Sequence, residues 1–278
     1  MLMEIKLKPA GMDELYGIYL PVKNALACIV LVHGLGEHIG RYKELAAFFN
    51  ENKYSFIGLD LPGHGKSPGK RGHIRNFILY QNILDAIAAY VRENEGGISL
   101  VLYGHSLGGG IALNYLVTGK NMDSGIITSP WLKLSFEPPK IKILLARVLS
   151  GLIPSLLQSS GLDPVDLSSD KNVVKEYRSD PLIHFLISIK LYVSATRNAA
   201  ALLNCRDKLQ VPVLMMHGEN DRIASLEGSE TFAGNNRMAE LKIWADGYHE
   251  LHNELFREEV YDYILKWLNK RYEIQNRN

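Results

Sequence analysis

Two cysteines, Cys28 and Cys205, are the only thiols in 278 residues. They are too few for a disulfide framework and lack the spacing of a metal cluster, so they read as reduced thiols. Net charge is almost absent as well: 31 Lys and Arg stand against 30 Asp and Glu, leaving +1. No overall field draws the chain to nucleic acid, which is set aside as a partner. No uncharged run approaches the ~18 residues that cross a bilayer, and residues 1–9 alternate charge and hydrophobe where a secretory leader would carry an apolar stretch. A leaderless cytoplasmic protein is expected. Repeats and low-complexity segments are missing too. What is present is a chain 46% hydrophobic and 22% charged, the profile of a globular protein. At this length one core with a large insertion is expected rather than two unrelated domains.

The hydrophobic pattern supplies the architecture. Residues 4–8 and 14–20 alternate in and out on either side of the turn residues Pro9 and Gly11, which predicts an antiparallel pair. The run 25–32 is apolar on both faces, as a central parallel strand covered by helices must be. Residues 41–52 predict a helix, 54–60 a strand, 77–95 a long helix and 98–103 another buried strand. Alternating strands and helices at this spacing predict a wound, mostly parallel sheet. After 125–129 the rhythm breaks for about eighty residues, too long for a simple crossover. A helical insertion at 131–203 is therefore expected, with the core at 1–130 and 204–278. Within it, apolar residues from Ile141 to Leu157 follow helical spacing, with Pro154 closing or kinking the run. A second helix is predicted over 181–203, opened by Asp180-Pro181. Strands at 211–217 and 241–244 and a helix at 254–272 complete the pattern.

Chemistry concentrates at the predicted strand ends. Gly104-His105-Ser106-Leu107-Gly108 fits G-x-S-x-G between a strand and a helix, the context that makes Ser106 a candidate nucleophile. A serine hydroxyl needs a base to take its proton and a carboxylate to orient that base. Asp221, in the loop after strand 211–217, is the preferred carboxylate over Asp207, Asp246 and Glu219. His249, after the last strand and ahead of the terminal helix, is the preferred base over His252. His249-Glu-Leu-His252 is one residue short of H-E-x-x-H, so no metal is expected. An oxyanion needs two inward N–H donors. Leu107, following the nucleophile, and Leu35, in the glycine-bearing loop 33–38, are the candidates. Glu37, His38 and Arg41 are expected to brace that loop, and Asp60 to bind loop amides. His64, His73, His184 and His217 have no partner that the sequence names.

His33-Gly-Leu-Gly-Glu-His38 with Gly40-Arg-Tyr42, Asp60-Leu-Pro-Gly-His-Gly-Lys-Ser67, Gly104-His-Ser-Leu-Gly-Gly109 and Tyr248-His-Glu-Leu-His-Asn-Glu254 together resemble the monoacylglycerol lipase and lysophospholipase branch of the α/β-hydrolases. The resemblance covers nearly everything outside the insertion. It implies an eight-stranded, mostly parallel sheet flanked by helices, with a mobile apolar cap between strands 6 and 7. It matches Ser106, Asp221 and His249 to the triad and Leu35 and Leu107 to the oxyanion donors. The implied activity is hydrolysis of monoacylglycerols through an acyl-serine, without a cofactor. A lysophospholipase or broad carboxylesterase is the enzymatic alternative, and a lipid-binding or sensing protein that kept the fold is the non-enzymatic one. Ile141, Leu145 and Leu149 on the cap helix are expected to contact the acyl chain. With Lys140, Lys142 and Arg147 at its margin, that helix is also expected to touch a membrane surface transiently. No obligate protein partner is implied.

Overall fold

The computed structural model describes residues 2–119, 121–136 and 140–275, with side chains omitted at 140, 142, 143 and 273–275. The side chains of Lys140 and Lys142 thus lie outside the described residues. Eight strands form the main sheet in the order β1-β2-β4-β3-β5-β6-β9-β10. The edge strand β1 (Met3–Leu7) and its neighbour β2 (Leu15–Leu20) are antiparallel to each other, and β2 is antiparallel to β4. Every other pairing is parallel: β3 (Ala27–Val32), β4 (Tyr54–Leu59), β5 (Leu100–His105), β6 (Ser124–Thr128), β9 (Val213–Gly218) and β10 (Ala239–Trp244).

The continuous apolar runs are explained by what covers them. Every residue of β3, β4, β5, β6 and β9 is buried, because each face of the sheet carries its own apolar layer. One layer joins Val30, Leu102 and Met215 to the helices α2 (Leu79–Glu95) and α3 (Leu107–Val117). The other joins Ile29, Tyr103 and Leu214 to α1 (Lys43–Glu51) and α8 (Arg257–Gln275). Parallel strands put all their carboxyl ends on one edge, so the loops after β3, β5, β9 and β10 gather there.

Between β6 and β9 lie α4 (Lys140–Leu152), β7 (Leu157–Ser159), α5 (Lys171–Ser179), β8 (Leu186–Ser188) and α6 (Ile189–Leu203). The insertion differs from expectation in two ways. The second helix opens at Ile189 and not at Pro181, because 186–188 pairs antiparallel with 157–159 and Ser188 caps the helix by accepting from the Leu191 amide. Asp180 is engaged elsewhere, on the Leu182 amide and His38. Furthermore α6 is shared with the core: its Leu191, Ala195, Ala199 and Leu202 belong to the main apolar layer, and it packs on both α3 and α4. The short helix α7 (Leu226–Gly234), which carries no strong apolar period, was invisible to the pattern.

Candidate active site

The local fold around Ser106 is a sharp elbow. Ser106 sits at φ 55° and ψ −117°, left-handed backbone that a non-glycine residue adopts only under strain, between the last residue of β5 and the first of α3. Its neighbours leave no room for side chains. A Cβ on Gly104 would lie 2.6 Å from the Ala112 Cβ and the Gly108 carbonyl, and one on Gly108 would lie 2.1 Å from the Val32 carbonyl. The elbow is tied down by the Ser106 amide donating to Thr128 O at 3.0 Å and by the Trp131 amide donating to Ser106 O at 2.9 Å. Leu107 opens α3, so its N–H has no acceptor in a preceding turn and faces the elbow end of the helix dipole.

Asp221 and His249, on separate loops at the same sheet edge, meet through His249 Nδ1 and Asp221 Oδ2 at 2.8 Å. Both are buried, 1% and 2% exposed at the side chain. The amides of Ile223 and Ala224 donate to the other Asp221 oxygen at 2.8 and 2.9 Å. Burial alone would raise the Asp221 pKa, but the charge of His249 and the bonds from His217 and His249 outweigh it and hold the carboxyl well below its usual range. Burial pushes the His249 imidazole down, yet Asp221 more than compensates, and the net shift is upward from 6.5. If this ring serves as a base, it works only when unprotonated. The acid limb of kcat/KM is therefore expected above pH 6.5, with activity lost as pH falls through it, and a pH–rate profile on a soluble ester measures it. A midpoint below 6.5 would mean that Asp221 does not act on the titrating group.

The loop after β3 is held over the elbow. A Cβ on Gly34 would come within 3.2 Å of the Ser106 Cβ. Glu37 Oε1 accepts from the Gly34 amide at 2.6 Å and from Tyr42 OH at 2.7 Å, while Arg41 donates to Glu37 at 3.0 Å and grips Glu250 with both terminal nitrogens. All four side chains are buried or nearly so. Burial and the neighbouring Glu250 push the Glu37 carboxyl up. For Glu250, burial acts upward but the Arg41 guanidinium prevails and holds it at about 2. Asp60 takes the amides of Ile39 and Lys66, fastening the next loop beneath.

The inserted segment is bonded to this same loop. The His184 amide donates to Gly36 O at 2.9 Å, His38 and Asp180 pair at 2.8 Å, and Arg41 lies 4.6 Å above the centre of the Tyr177 ring. A Cβ on Gly36 would strike the His184 carbonyl. On the other side Glu254, fully buried, accepts from the Tyr248 amide at 2.9 Å and binds Ser169, joining the His249 loop to the insertion. Sequence reasoning passed over Glu250, Glu254 and Tyr177. Their partners lie 85 to 209 residues away along the chain, and the only available signal for the first two was adjacency to His249.

Ser106, His105, His249, Gly34 and Leu35 open onto one cavity of about 280 Å³ between the sheet edge and the insertion. Its walls include Trp131, Leu134, Phe136, Leu162, Leu167, Ile187, Tyr192 and Ile223, with Glu37, Glu250 and Tyr177 at the polar side. The expected contribution of Ile141, Leu145 and Leu149 is corrected: Ile141 is 63% and Leu145 52% exposed, Leu149 is half-buried, and none lines the cavity. Among the described residues of α4, only Ala146 does. The apolar period spans most of the helix, and its richest face, which also carries Leu144, Val148 and Leu152, points outward. His252, the rival base, is buried against Tyr42 with ring centres 4.6 Å apart, and among the described residues neither ring nitrogen has a hydrogen-bond partner. Among the described residues no three His, Cys, Asp or Glu side chains converge as a metal site.

Comparison with known proteins bears on this arrangement. Residues 23–255 match the Hydrolase_4 family, described as Serine aminopeptidase, S33. An abhydrolase domain-containing protein of Dictyostelium discoideum is 34% identical over 260 residues, 92% of this chain, which spans only 27% of that longer protein. Human monoglyceride lipase is 31% identical over 266 residues, covering 90% of this chain and 85% of that protein. The crystal structure of Paleococcus ferrophilus monoacylglycerol lipase superposes with a TM-score of 0.85 at 35% identity, covering 92% of this chain and 98% of that one.

Proposed function

Because the chain belongs to the Hydrolase_4 (serine aminopeptidase) family, within the monoacylglycerol lipase branch of the α/β-hydrolases, we propose that it hydrolyses monoacylglycerols to fatty acid and glycerol with Ser106, Asp221 and His249 as its triad. The observation that carries this reading is the hydrogen-bonded Asp221–His249 pair and the Ser106 elbow opening onto one cavity with apolar walls. His249 Nε2 removes the Ser106 proton as Oγ attacks the ester carbonyl, and Asp221 stabilises the imidazolium that results. The N–H groups of Leu35 and Leu107 receive the negative oxygen of the tetrahedral intermediate. Collapse expels the alcohol, which takes the proton from His249 and leaves an acyl-Ser106. Water, deprotonated by His249, then attacks the acyl carbon, frees the fatty acid and returns the proton to Ser106. No cofactor enters any step.

The polar side of the cavity favours a neutral alcohol over a phospholipid head group. Among the described residues no Lys or Arg lines the cavity, the nearby Arg41 is already paired with Glu37 and Glu250, and those two acidic residues are part of the lining. A phosphate there meets like charge, a juxtaposition that costs on the order of several kcal/mol. The outward apolar face of α4, with Leu144, Val148 and Leu152 each more than half exposed, supports transient contact with a lipid surface by a cytoplasmic enzyme. Among the described residues no helix is long and apolar enough to cross a membrane.

Rates across lipid substrates test both points. A long-chain monoacylglycerol is expected to exceed the matching lysophosphatidylcholine in kcat/KM by about tenfold or more, in keeping with like-charge exclusion. The double variant Leu144→Ser, Val148→Ser is expected to slow hydrolysis of vesicle-borne monoacylglycerol and leave p-nitrophenyl acetate untouched. Equal rates on both lipids would remove the head-group assignment, and equal losses on vesicle and soluble ester would assign the α4 face to packing.

A further inference from the structure

One buried histidine outside the expected triad touches its carboxylate. His217 is the fifth residue of β9, fully buried, and its ring makes three polar contacts. Nδ1 lies 2.8 Å from Ser229 Oγ on α7, and Nε2 lies 3.0 Å from the Ala224 carbonyl and 3.2 Å from Asp221 Oδ2. Two of these neighbours, the carbonyl and the carboxylate, are acceptors only. Both sit on the Nε2 side. That side must therefore carry the proton, leaving a lone pair on Nδ1 that accepts the Ser229 hydroxyl. We propose that His217 is a positioning residue which shares its Nε2 proton between the Ala224 carbonyl and Asp221 Oδ2 and so sets both the orientation of Asp221 and the basicity of His249.

The carboxylate has four strong acceptor sites: the amides of Ile223 and Ala224 bond Oδ1, His249 Nδ1 bonds Oδ2, and the His217 Nε2 proton, whose nearer acceptor is the Ala224 carbonyl at 3.0 Å, is shared with Oδ2 at 3.2 Å as the fourth contact. The first three are the minimum that fixes an anion beside the base. The fourth does something different. Because it lands on the same oxygen as His249, it shares that oxygen's negative charge and weakens its hold on the imidazolium proton. Without the His217 donor, Asp221 stabilises protonated His249 more strongly and is held about its Cβ–Cγ bond by one contact fewer. The base then stays protonated to higher pH, and its ring is less firmly aimed. Other groups around His249 are His105, His252, Glu250, Glu37 and Arg41; none of them contacts His217, so a substitution there leaves their fields in place. His217 does not line the cavity, so substrate affinity should be indifferent to it.

This inference rests on the triad assignment of the preceding section. The experiment compares His217→Leu, which removes the donor, with His217→Gln, whose amide nitrogen can reach the Nε2 position. In His217→Leu, kcat on p-nitrophenyl butyrate is expected to fall by about 10–100-fold, the usual cost of losing a partner that orients a reactive group. KM stays within twofold, and the acid limb of kcat/KM moves up by about half a pH unit or more. His217→Gln restores most of kcat and returns the limb. An unmoved limb in His217→Leu, or a Gln variant as impaired as Leu, overturns the proposal and leaves His217 a packing residue. Should the Leu variant not fold, ¹⁵N-histidine spectra of the unaltered protein decide: a protonated Nε2 with an unprotonated Nδ1 on His217 supports the proposal, and the opposite tautomer overturns it. A Ser106→Ala control separates the two levels. If that variant still turns over the ester, the triad assignment itself fails and this inference with it; if it is inert, an unmoved limb in His217→Leu counts against His217 alone.

Discussion

Ser106→Ala is expected to abolish turnover, with kcat on a soluble ester falling by about 10⁵–10⁶-fold, while the protein stays folded. The size of the effect follows from covalent catalysis: His249 and Asp221 have nothing to activate once the hydroxyl is gone, so the pair's contribution disappears with it. The fold is spared because, among the described residues, the Ser106 side chain makes no hydrogen bond that ties the elbow down. The ties run through its backbone, from its amide to Thr128 and from Trp131 to its carbonyl. Intact mass after treatment with a fluorophosphonate reads the same point directly. One adduct is expected on the unaltered protein, located to Ser106 by peptide mapping, and none on the variant. A variant that kept its rate, or an adduct on another residue, would move the nucleophile elsewhere.

Arg41→Met is expected to produce the largest loss of stability of any single change near the site, about 3–5 kcal/mol by denaturant unfolding. Arg41 is the cation that balances Glu37 and Glu250, whose side chains are only 3% and 2% exposed. Removing it strands two carboxylates in a water-poor interior, and the cost of an uncompensated buried charge exceeds what the ion pairs themselves contribute. Adding Glu250→Gln to Arg41→Met should recover part of the loss, since a neutral amide there no longer needs a counter-charge. The pH dependence has a definite sign. Glu250 is held at about 2, below its ordinary 4.5, so its stabilising effect is present above pH 4.5 and is lost as pH falls through 4.5 towards 2. The unaltered protein should therefore lose stability in that window, and Arg41→Met should lose less of it. A loss below about 1 kcal/mol in Arg41→Met, the range of exposed pairs, would mean that water reaches the two carboxylates. Because Glu37 also holds the Gly34 amide, the same variant is expected to slow turnover by loosening the loop over Ser106.

These two expectations draw on very different depths of reading. Ser106 was legible as a candidate nucleophile from five consecutive residues, since a strained turn between a buried strand and a helix needs glycines on either side, and the close contacts at Gly104 and Gly108 give the reason for the turn in distances. Asp221 and His249 were legible as strand-end residues, and the structure joins them at 2.8 Å. Arg41 was legible only as a brace of the loop beside it. That it clamps Glu250, 209 residues away, depends on how α1 and the last loop pack across the sheet. The insertion was the least legible part. Hydrophobic spacing identified α4 as amphipathic, but a helical period states which residues share a face and not which side the protein is on. Leu145 and Ile141 turned out to face solvent while Ala146 faces the cavity. The end of the insertion was hard to read for a related reason: α6 has the apolar content of a cap helix and of a core helix alike, and it packs on both α4 and α3.

By itself, then, the amino-acid order determined what backbone geometry and short-range periodicity control: the parallel sheet, the elbow, and which loops carry reactive side chains at one sheet edge. The tertiary structure decided how side chains distant along the chain share charges and protons. It set Glu250 on Arg41, His217 on Asp221, Glu254 between the His249 loop and the insertion, and the small side chain of α4 toward the cavity. The reason is physical. Strand and helix patterns arise from constraints among neighbours that every segment carries with it, whereas a buried ion pair or a shared proton exists only where packing excludes water around both partners, and no short stretch of chain contains that information.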